Sequence, residues 1–369
     1  MFSSRWNPCV AHAKSETERF VQEYFSLSEV TACLIAGAGF DPRARVVSNA
    51  LAQTPGDLRC VPIKEHRPSP DQTQVSQADD NSLAMLSCFQ HVNFIDVDIF
   101  GDDGAVVGGR NTINQLHNID FSEVSDIVID MSALSVGTSF PIIKYFVQRY
   151  HQGKGPQNVH VFVTHDPSLD DNIQAITSDE AGYIHGFKGQ LTLQSSAEKA
   201  RMWLPQLALG RNQSLERVHR FLKPDDTCPI VPFPASDPRS ADQLFWAYKT
   251  EIESAWDVST RNIVYANEDD PVDLYRTILR LDDLRQPVFE ASGGSHVILS
   301  PIGSKLMALG ALMAALERDL PVAYVEAVDY NLGASACQTV IENPDMYHVW
   351  LEGSAYPTGR PKIRSIGEA

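Results

Sequence analysis

Residues 33–51 read CLIAGAGFDPRARVVSNAL, and residues 228–248 read CPIVPFPASDPRSADQLFWAY. In each, a short apolar run breaks at small residues, meets Asp-Pro-Arg and turns into a helical pattern. A second phrase also occurs twice. DIVIDMSALSVGTSFPIIKYF starts at Asp126 and HVILSPIGSKLMALGALMAAL at His296. Each has an apolar run, a serine, then glycine followed by Thr or Ser, then a helix. An apolar run of this length bounded by small residues reads as a buried strand. A strand that passes into a helix through a small-residue loop leaves backbone N–H groups open to an anion. Gly37, Gly39, Asp41, Arg43, Ser132, Gly137 and Thr138 are therefore candidate ligand residues in the first half. Asp237, Arg239, Ser300, Gly303, Ser304 and Lys305 are their counterparts in the second.

Strand candidates alternate with helices along the whole chain. In the first half they lie at 32–36, 58–63, 92–99, 126–129 and 159–164, and in the second at 202–207, 229–233, 262–266, 296–299 and 322–325. Such alternation implies α/β architecture, with mostly parallel sheets covered on both faces. The expected arrangement is two Rossmann-like lobes, 1–195 and 196–355, followed by a basic surface tail, 356–369. The echo reads either as an internal duplication or as chance likeness between generic αβ units. Ninety-one residues separate Asp41 from Ser132, but sixty-three separate Asp237 from Ser300. An insertion in the first lobe would account for the difference. The polar stretch 67–81, RPSPDQTQVSQADDN, reads as that exposed loop.

Composition narrows the function. The chain has 369 residues, 43% hydrophobic and 21% charged, with 47 acidic and 30 basic residues for a net charge of −17. That balance argues against a broad nucleic-acid-binding surface, which needs Lys and Arg to neutralise phosphates. None of the six cysteines forms a Cys-x-x-Cys pair, so a zinc knuckle or redox motif is not expected. The cysteines and the absence of an apolar leader fit a soluble protein of the cytoplasm. Ser135-Val136-Gly137 lacks the preceding glycine of a nucleophile elbow. There is no Walker lysine motif and no His-Glu-x-x-His. His165 and His185 are isolated histidines. Asn267-Glu268-Asp269-Asp270 could hold a divalent ion, or simply start a helix; no metal is expected.

Asp-Pro recurs at Asp41, Asp166, Asp237 and Asp270, each after an apolar run. Asp caps a helix and Pro suits its first position, so all four read as helix starts. Arg43 and Arg239 stand two residues further on, where a guanidinium can fork onto a phosphate or a carboxylate.

Two resemblances sharpen the reading. Gly303-Ser304-Lys305-Leu306-Met307-Ala308-Leu309-Gly310-Ala311, within 296–325, resembles the Gly-Thr-Lys-x-Met-x-x-Gly-Ala signature of CRISPR-associated Rossmann-fold (CARF) sensor domains. That resemblance implies that Gly303 allows close approach, Ser304 donates a hydroxyl and Lys305 supplies charge to the phosphates of a cyclic oligonucleotide. It also implies that Met307 and Gly310 pack the helix on the sheet, and a setting in prokaryotic antiviral defence. Gly37, Gly39, Phe40, Asp41 and Arg43 resemble the first motif of class I methyltransferases, which implies S-adenosylmethionine as ligand. Under that resemblance Glu65 would hold ribose hydroxyls, and Asp96 and Asp98 would form a later acidic strand end.

Three readings follow. The first is a sensor or regulatory subunit that binds a nucleotide or other phosphate-bearing ligand and acts through a protein partner or homo-oligomer. The second is a methyltransferase-like enzyme. The third is a non-catalytic assembly subunit in which Arg43 and Arg239 form salt bridges between the lobes. No pattern in the sequence names a cofactor or a catalytic residue.

Overall fold

The computed structural model describes residues 4–56, 58–189, 199–333, 341, 344–360 and 363–364. Two compact units form: a larger one from 8–176 and 327–360, and a smaller one from 177–326 with both chain ends. The division thus falls near 176 and 326, not at 195, and the larger unit takes back the chain after 326.

The larger unit is laid down as β1 (Val10–Ala13), α1 (Ser15–Tyr24), β2 (Ala32–Gly37), α2 (Ala44–Ala52), β3 (Leu58–His66), α3 (Gln72–Cys88), β4 (His91–Val92), β5 (Ile95–Asp98), α4 (Gly108–Leu116), β6 (Asp126–Asp130), α5 (Val136–His151), β7 (Asn158–His165), α6 (Pro167–Asn172) and β8 (Ile173–Thr177). The smaller unit follows with β9 (Gly182–Tyr183), β10 (Ala200–Pro205), α7 (Asn212–Leu222), β11 (Asp226–Thr227), β12 (Ile230–Pro232), α8 (Ser240–Ala247), β13 (Val264–Ala266), α9 (Pro271–Phe289), β14 (Ser295–Ser300), α10 (Lys305–Arg318) and β15 (Ala323–Tyr324). The chain then adds β16 (Ala327–Leu332) and β17 (Asp345–Glu352) to the larger unit.

The larger sheet runs β1-β17-β7-β6-β2-β3-β4, with β5 also beside β3. The pairs from β7 to β4 and β5 are parallel; β17 alone is antiparallel to both of its neighbours. The order therefore reverses between β2, the first parallel strand after α1, and β6. β2, β6 and β7 are buried along their whole length. This is why they read as continuous apolar runs instead of alternating ones. Leu34, Ala36, Val128 and Phe162 pack under Val21, Phe25, Val47, Leu51 and Met85 of α1, α2 and α3. α5 lies on β6 and β7 and packs against α4.

The smaller unit repeats the rule. β10 pairs in parallel with β11 and β14, and β12 with β13. Parallel bridges join Gln206 to Ile230 and Leu299 to Val322. The order is again third, second, first, fourth, fifth, with β9 antiparallel to the fifth strand, β15. Two mixed α/β units with mainly parallel, order-reversing sheets make this a Rossmann-like fold.

The shared order corrects part of the echo. The Ser132 and Ser300 phrases both follow the fourth strand, so they correspond. The Asp41 phrase follows the first strand of its unit, but the Asp237 phrase follows the second strand of its own. The unequal spacings thus count different numbers of strands, and an insertion is not their cause.

Within the polar stretch 67–81, residues 67–71 form a loop, but α3 takes up the stretch from Gln72 onward. Asp71 caps α3 by accepting from the N–H groups of Thr73 and Gln74. Gln74, Gln77, Asn81 and Ser82 are buried on it. Asn81 donates to the carbonyls of Gly39 and Asp41 and accepts from Arg45, while Gln74 donates to Asp329 and the carbonyl of Tyr330. A helix whose buried face is polar gives no apolar periodicity, so the sequence conceals it.

Residues 356–360, the start of the basic tail, are anchored as well. The Tyr356 hydroxyl accepts from the N–H of Val10 and donates to the carbonyl of Trp350; Arg360 stacks over the Tyr356 ring and pairs with Glu352.

Gly310 packs α10 against α9, not against the sheet. A Cβ there would stand 2.3 Å from the carbonyl oxygen of Pro271 and 3.1 Å from Cβ of Leu274. Gly310→Ala is expected to cost about 1–3 kcal/mol by overpacking. Gly39→Ala, which meets nothing within 4 Å, should stay within about 0.5 kcal/mol of the parent. Urea unfolding of the two variants checks both values.

Candidate functional site

In an order-reversing sheet, ligands enter beyond the C-terminal ends of the first and fourth strands. In the larger unit those ends are Gly37 of β2 and Asp130 of β6, and the protein's own groups fill the space between them. A Cβ on Gly37 would come within 2.6 Å of the carbonyl oxygen of Ala133, so this glycine serves chain-to-chain contact. Ser132 donates to Asp130 and accepts from the N–H of Thr164 at 2.7 Å. Asp41 accepts from the N–H of Arg43 at 2.9 Å and from its guanidinium at 2.7 Å. Asp170 of α6 accepts a further guanidinium bond, also at 2.7 Å. Arg43 is thus engaged by two carboxylates of its own unit.

The remaining candidates of this unit also have local roles. Gly137 and Thr138 lie in the first turn of α5, where the Ser135 hydroxyl caps the N–H of Thr138. Glu65, at the end of β3, accepts from the N–H of Ser135 at 3.1 Å and from Arg67 at 3.1 Å. Arg67 stacks over Tyr330, and Tyr330 packs against Phe40 of the glycine loop. Asp96 pairs with His66 at the exposed edge.

Asp130 is the exception to this full engagement. One carboxylate oxygen takes the Ser132 bonds; the other is buried and has no hydrogen-bond partner among the described residues. Burial pushes its pKa up to about 7, against the bonds from Ser132; Asp41 adds to the rise and Arg43 opposes it.

In the smaller unit the first and fourth strands end at Pro205 and Ser300, which are register partners. The Ser300 hydroxyl is buried, accepting from the Trp203 indole N–H at 2.9 Å and donating to the carbonyl of Ala323 at 2.8 Å. It fastens the core, with its donor and an acceptor site both taken by the protein. Asp237 and Arg239 are exposed beyond β12, with Nε and Oδ1 3.6 Å apart. Both arginines of the Asp-Pro-Arg phrases therefore pair within their own units, and the salt bridges expected between lobes are not formed by these partners.

The open region lies at the start of α10. Ser304 caps that helix by accepting from the N–H of Met307, and Lys305 is its first residue. Gly303 is exposed, and a Cβ on it would meet nothing closer than 3.8 Å. Beside it stands Gln206, 2% exposed, just beyond β10. Its Nε2 donates to the carbonyl of Met307 at 3.3 Å, but Oε1 is buried and has no hydrogen-bond partner among the described residues. That oxygen is 3.8 Å from the Cβ position of Gly303. A buried carbonyl oxygen left unpaired costs about 1–3 kcal/mol, which a ligand donor would recover. Sequence reading missed Gln206 because a single glutamine after a strand carries no pattern. The acidic run 267–270 works locally: Asp270 caps α9, Asn267 accepts from the N–H of Asp269, and Glu268 accepts from that of Ser236.

No protein-family model matches the chain, and no curated protein matches it. Among solved structures it is similar to phosphoethanolamine N-methyltransferase 1 of Haemonchus contortus, in complex with phosphoethanolamine and S-adenosylhomocysteine. Identity is 7%, 91% of each chain is covered, and the TM-score is 0.22. At that score the likeness carries no argument about fold or activity. Among the described residues, no helix is long and apolar enough to cross a membrane.

The raised pKa of Asp130 has a definite sign. The folded state holds this proton to about pH 7, whereas an unfolded Asp releases it near 3.9. The contribution is full below the unfolded pKa and is lost as pH rises from there to about 7. Asp130→Asn keeps the acceptor for Ser132 and carries no charge. It is expected to be more stable than the parent at pH 8, with the gain shrinking toward pH 5, as read by melting temperature across that range.

Proposed function

We propose that the protein is a Rossmann-like sensor or regulatory subunit that takes a nucleotide, or another phosphate-bearing ligand, at the crossover of its smaller unit. The observation that carries this reading is the buried, unpaired Oε1 of Gln206 beside Gly303. Phosphate oxygens suit the first-turn amides of α10 and the charge of Lys305. A ligand hydroxyl or amino group would donate to Gln206. The likeness of 303–311 to CARF sensor domains supports the same ligand class and a place in antiviral defence. Such a subunit would act through a protein partner.

A second reading, S-adenosylmethionine at the Gly37–Arg43 loop, is favoured by one observation. Glu65 is the penultimate residue of β3, the second strand of the order reversal, where an acid can hold ribose hydroxyls.

Thermal shift separates the readings. A ligand at about 100 times its Kd should stabilise by about 2.7 kcal/mol. Nucleotides or cyclic oligonucleotides are expected to raise the melting temperature, and Lys305→Ala to abolish that rise. Gln206→Leu should leave the free protein as stable as the parent or more so, while weakening the ligand-induced rise. A rise with S-adenosylmethionine alone, abolished by Gly39→Val, would move the function to the larger unit. No rise with any of these ligands would refute both readings.

A further inference from the structure

A row of three histidines and a carboxylate crosses the antiparallel edge of the larger sheet. His12 Nδ1 lies 2.9 Å from His348 Nδ1, His348 Nε2 lies 3.0 Å from His160 Nδ1, and His160 Nε2 lies 3.0 Å from Asp126 Oδ1. Tyr24 donates to the same Asp126 oxygen at 2.8 Å, and Ser125 donates to the other. His160 and His348 are fully buried, and His12 is half-buried. Phe20 of α1 stacks on both His12 and His348; Tyr24 and Phe25 lie against His160.

We propose that this row is an acid-released latch that fastens β1 and α1 onto the sheet.

Hydrogen placement follows from the partners. Asp126, as a carboxylate, only accepts, so His160 carries its hydrogen on Nε2. His160 Nδ1 then accepts from His348 Nε2–H, and His348 Nδ1 accepts from His12 Nδ1–H. Every link holds one hydrogen, and all three rings are neutral. One further proton can sit on His12 Nε2 without breaking a link. A second has no such place, because protonating His348 Nδ1 sets two N–H groups face to face across the β1–β17 contact. Protonating His160 Nδ1 does the same across the β17–β7 contact.

The surrounding charges do not relieve this. α1 supplies Glu16, which favours a proton on His12, and Arg19, which opposes it. Tyr24 and Asp126 act at the inner end, with Glu29 acting on Tyr24. Lys14 and Asp345 pair with each other in the open at the start of α1 and of β17. Burial lowers the proton affinity of His348 and His160, with neighbouring His160 and His12 adding to the effect at His348 and Asp126 opposing it at His160. Burial works against charge on Asp126 too, but the bonds from His160, Ser125 and Tyr24 hold it below the usual carboxylate range.

β1 is the weak point. It has four residues and, among the described residues, pairs with β17 alone. Short edge elements open before central strands do. Lifting β1 and α1 uncovers His348 and His160, whose free affinity near pH 6.5 then favours the open form in acid. At one pH unit below that value each ring contributes about 10-fold, so opening should be about 100-fold more populated at pH 5.5 than at neutrality.

Hydrogen exchange at pH 7.5 and 5.5, corrected for intrinsic rates, tests this on the whole chain. Residues 10–24 are expected to exchange about 100-fold faster at pH 5.5, while β2 and β6 keep their protection. His348→Gln keeps a donor and an acceptor but cannot titrate, and should reduce the effect to about 10-fold. Equal corrected rates in 10–24 at both pH values would overturn the proposal. So would loss of protection across the entire sheet, because the row would then be ordinary core. The comparison on the unaltered protein is decisive even if the variant does not fold.

Discussion

Parallel strands buried on both faces impose the constraint on which the rest of this structure depends. β2, β6 and β7 present apolar side chains on both sides, so helices must cover both sides. Each helix must carry the chain back to the same end of the sheet before the next parallel strand can start. Placing the first and fourth strands side by side then gathers the loops after β2 and β6 at one edge, and those after β10 and β14 at another. Two units that obey this rule produce two equivalent crossover points, although the chemistry at them differs.

The difference is one of polar bookkeeping. At the larger crossover Arg43 has Asp41 and Asp170, Ser132 has Asp130 and Thr164, and Asn81 has two carbonyls of the glycine loop, while one buried oxygen of Asp130 has no hydrogen-bond partner among the described residues. At the smaller crossover Ser300 is satisfied, but Gln206 keeps an unpaired oxygen beside an open glycine. Buried polar groups rarely remain unpaired without a reason. Each crossover has such an oxygen, but at the smaller one it stands beside the exposed Gly303, whereas Gly37 at the larger one is closed by the carbonyl of Ala133, and the proposed function rests on that difference.

The histidine row shows the same principle in another role. Its four groups come from β1, β17, β7 and β6 and are adjacent only because β17 inserts between β7 and β1. Each ring depends on its neighbour for the position of its hydrogen, so the row acts as one unit and not as three separate side chains. A sequence separation of 336 residues between His12 and His348 leaves no local trace of the pair.

The sequence by itself determined the central strands and most helices of both units. The phrase that starts at His296, for example, reads as a strand, a small-residue loop and a helix, and it forms β14, the Gly303 loop and α10, because local apolar runs, caps and breakers act over a few residues. The sequence also marked Asp166 and Asp270 as helix caps, for the same short-range reason. Only the tertiary structure decided that the Asp-Pro-Arg phrases follow different strands, that most of the polar stretch is a helix with one polar buried face, and that 345–352 completes the first sheet. It alone assembled Gln206 with Gly303, and Asp126 with His12, His160 and His348. Strand order, polar pairing and proton placement depend on contacts between residues far apart in the chain, and residue-by-residue patterns do not encode those contacts.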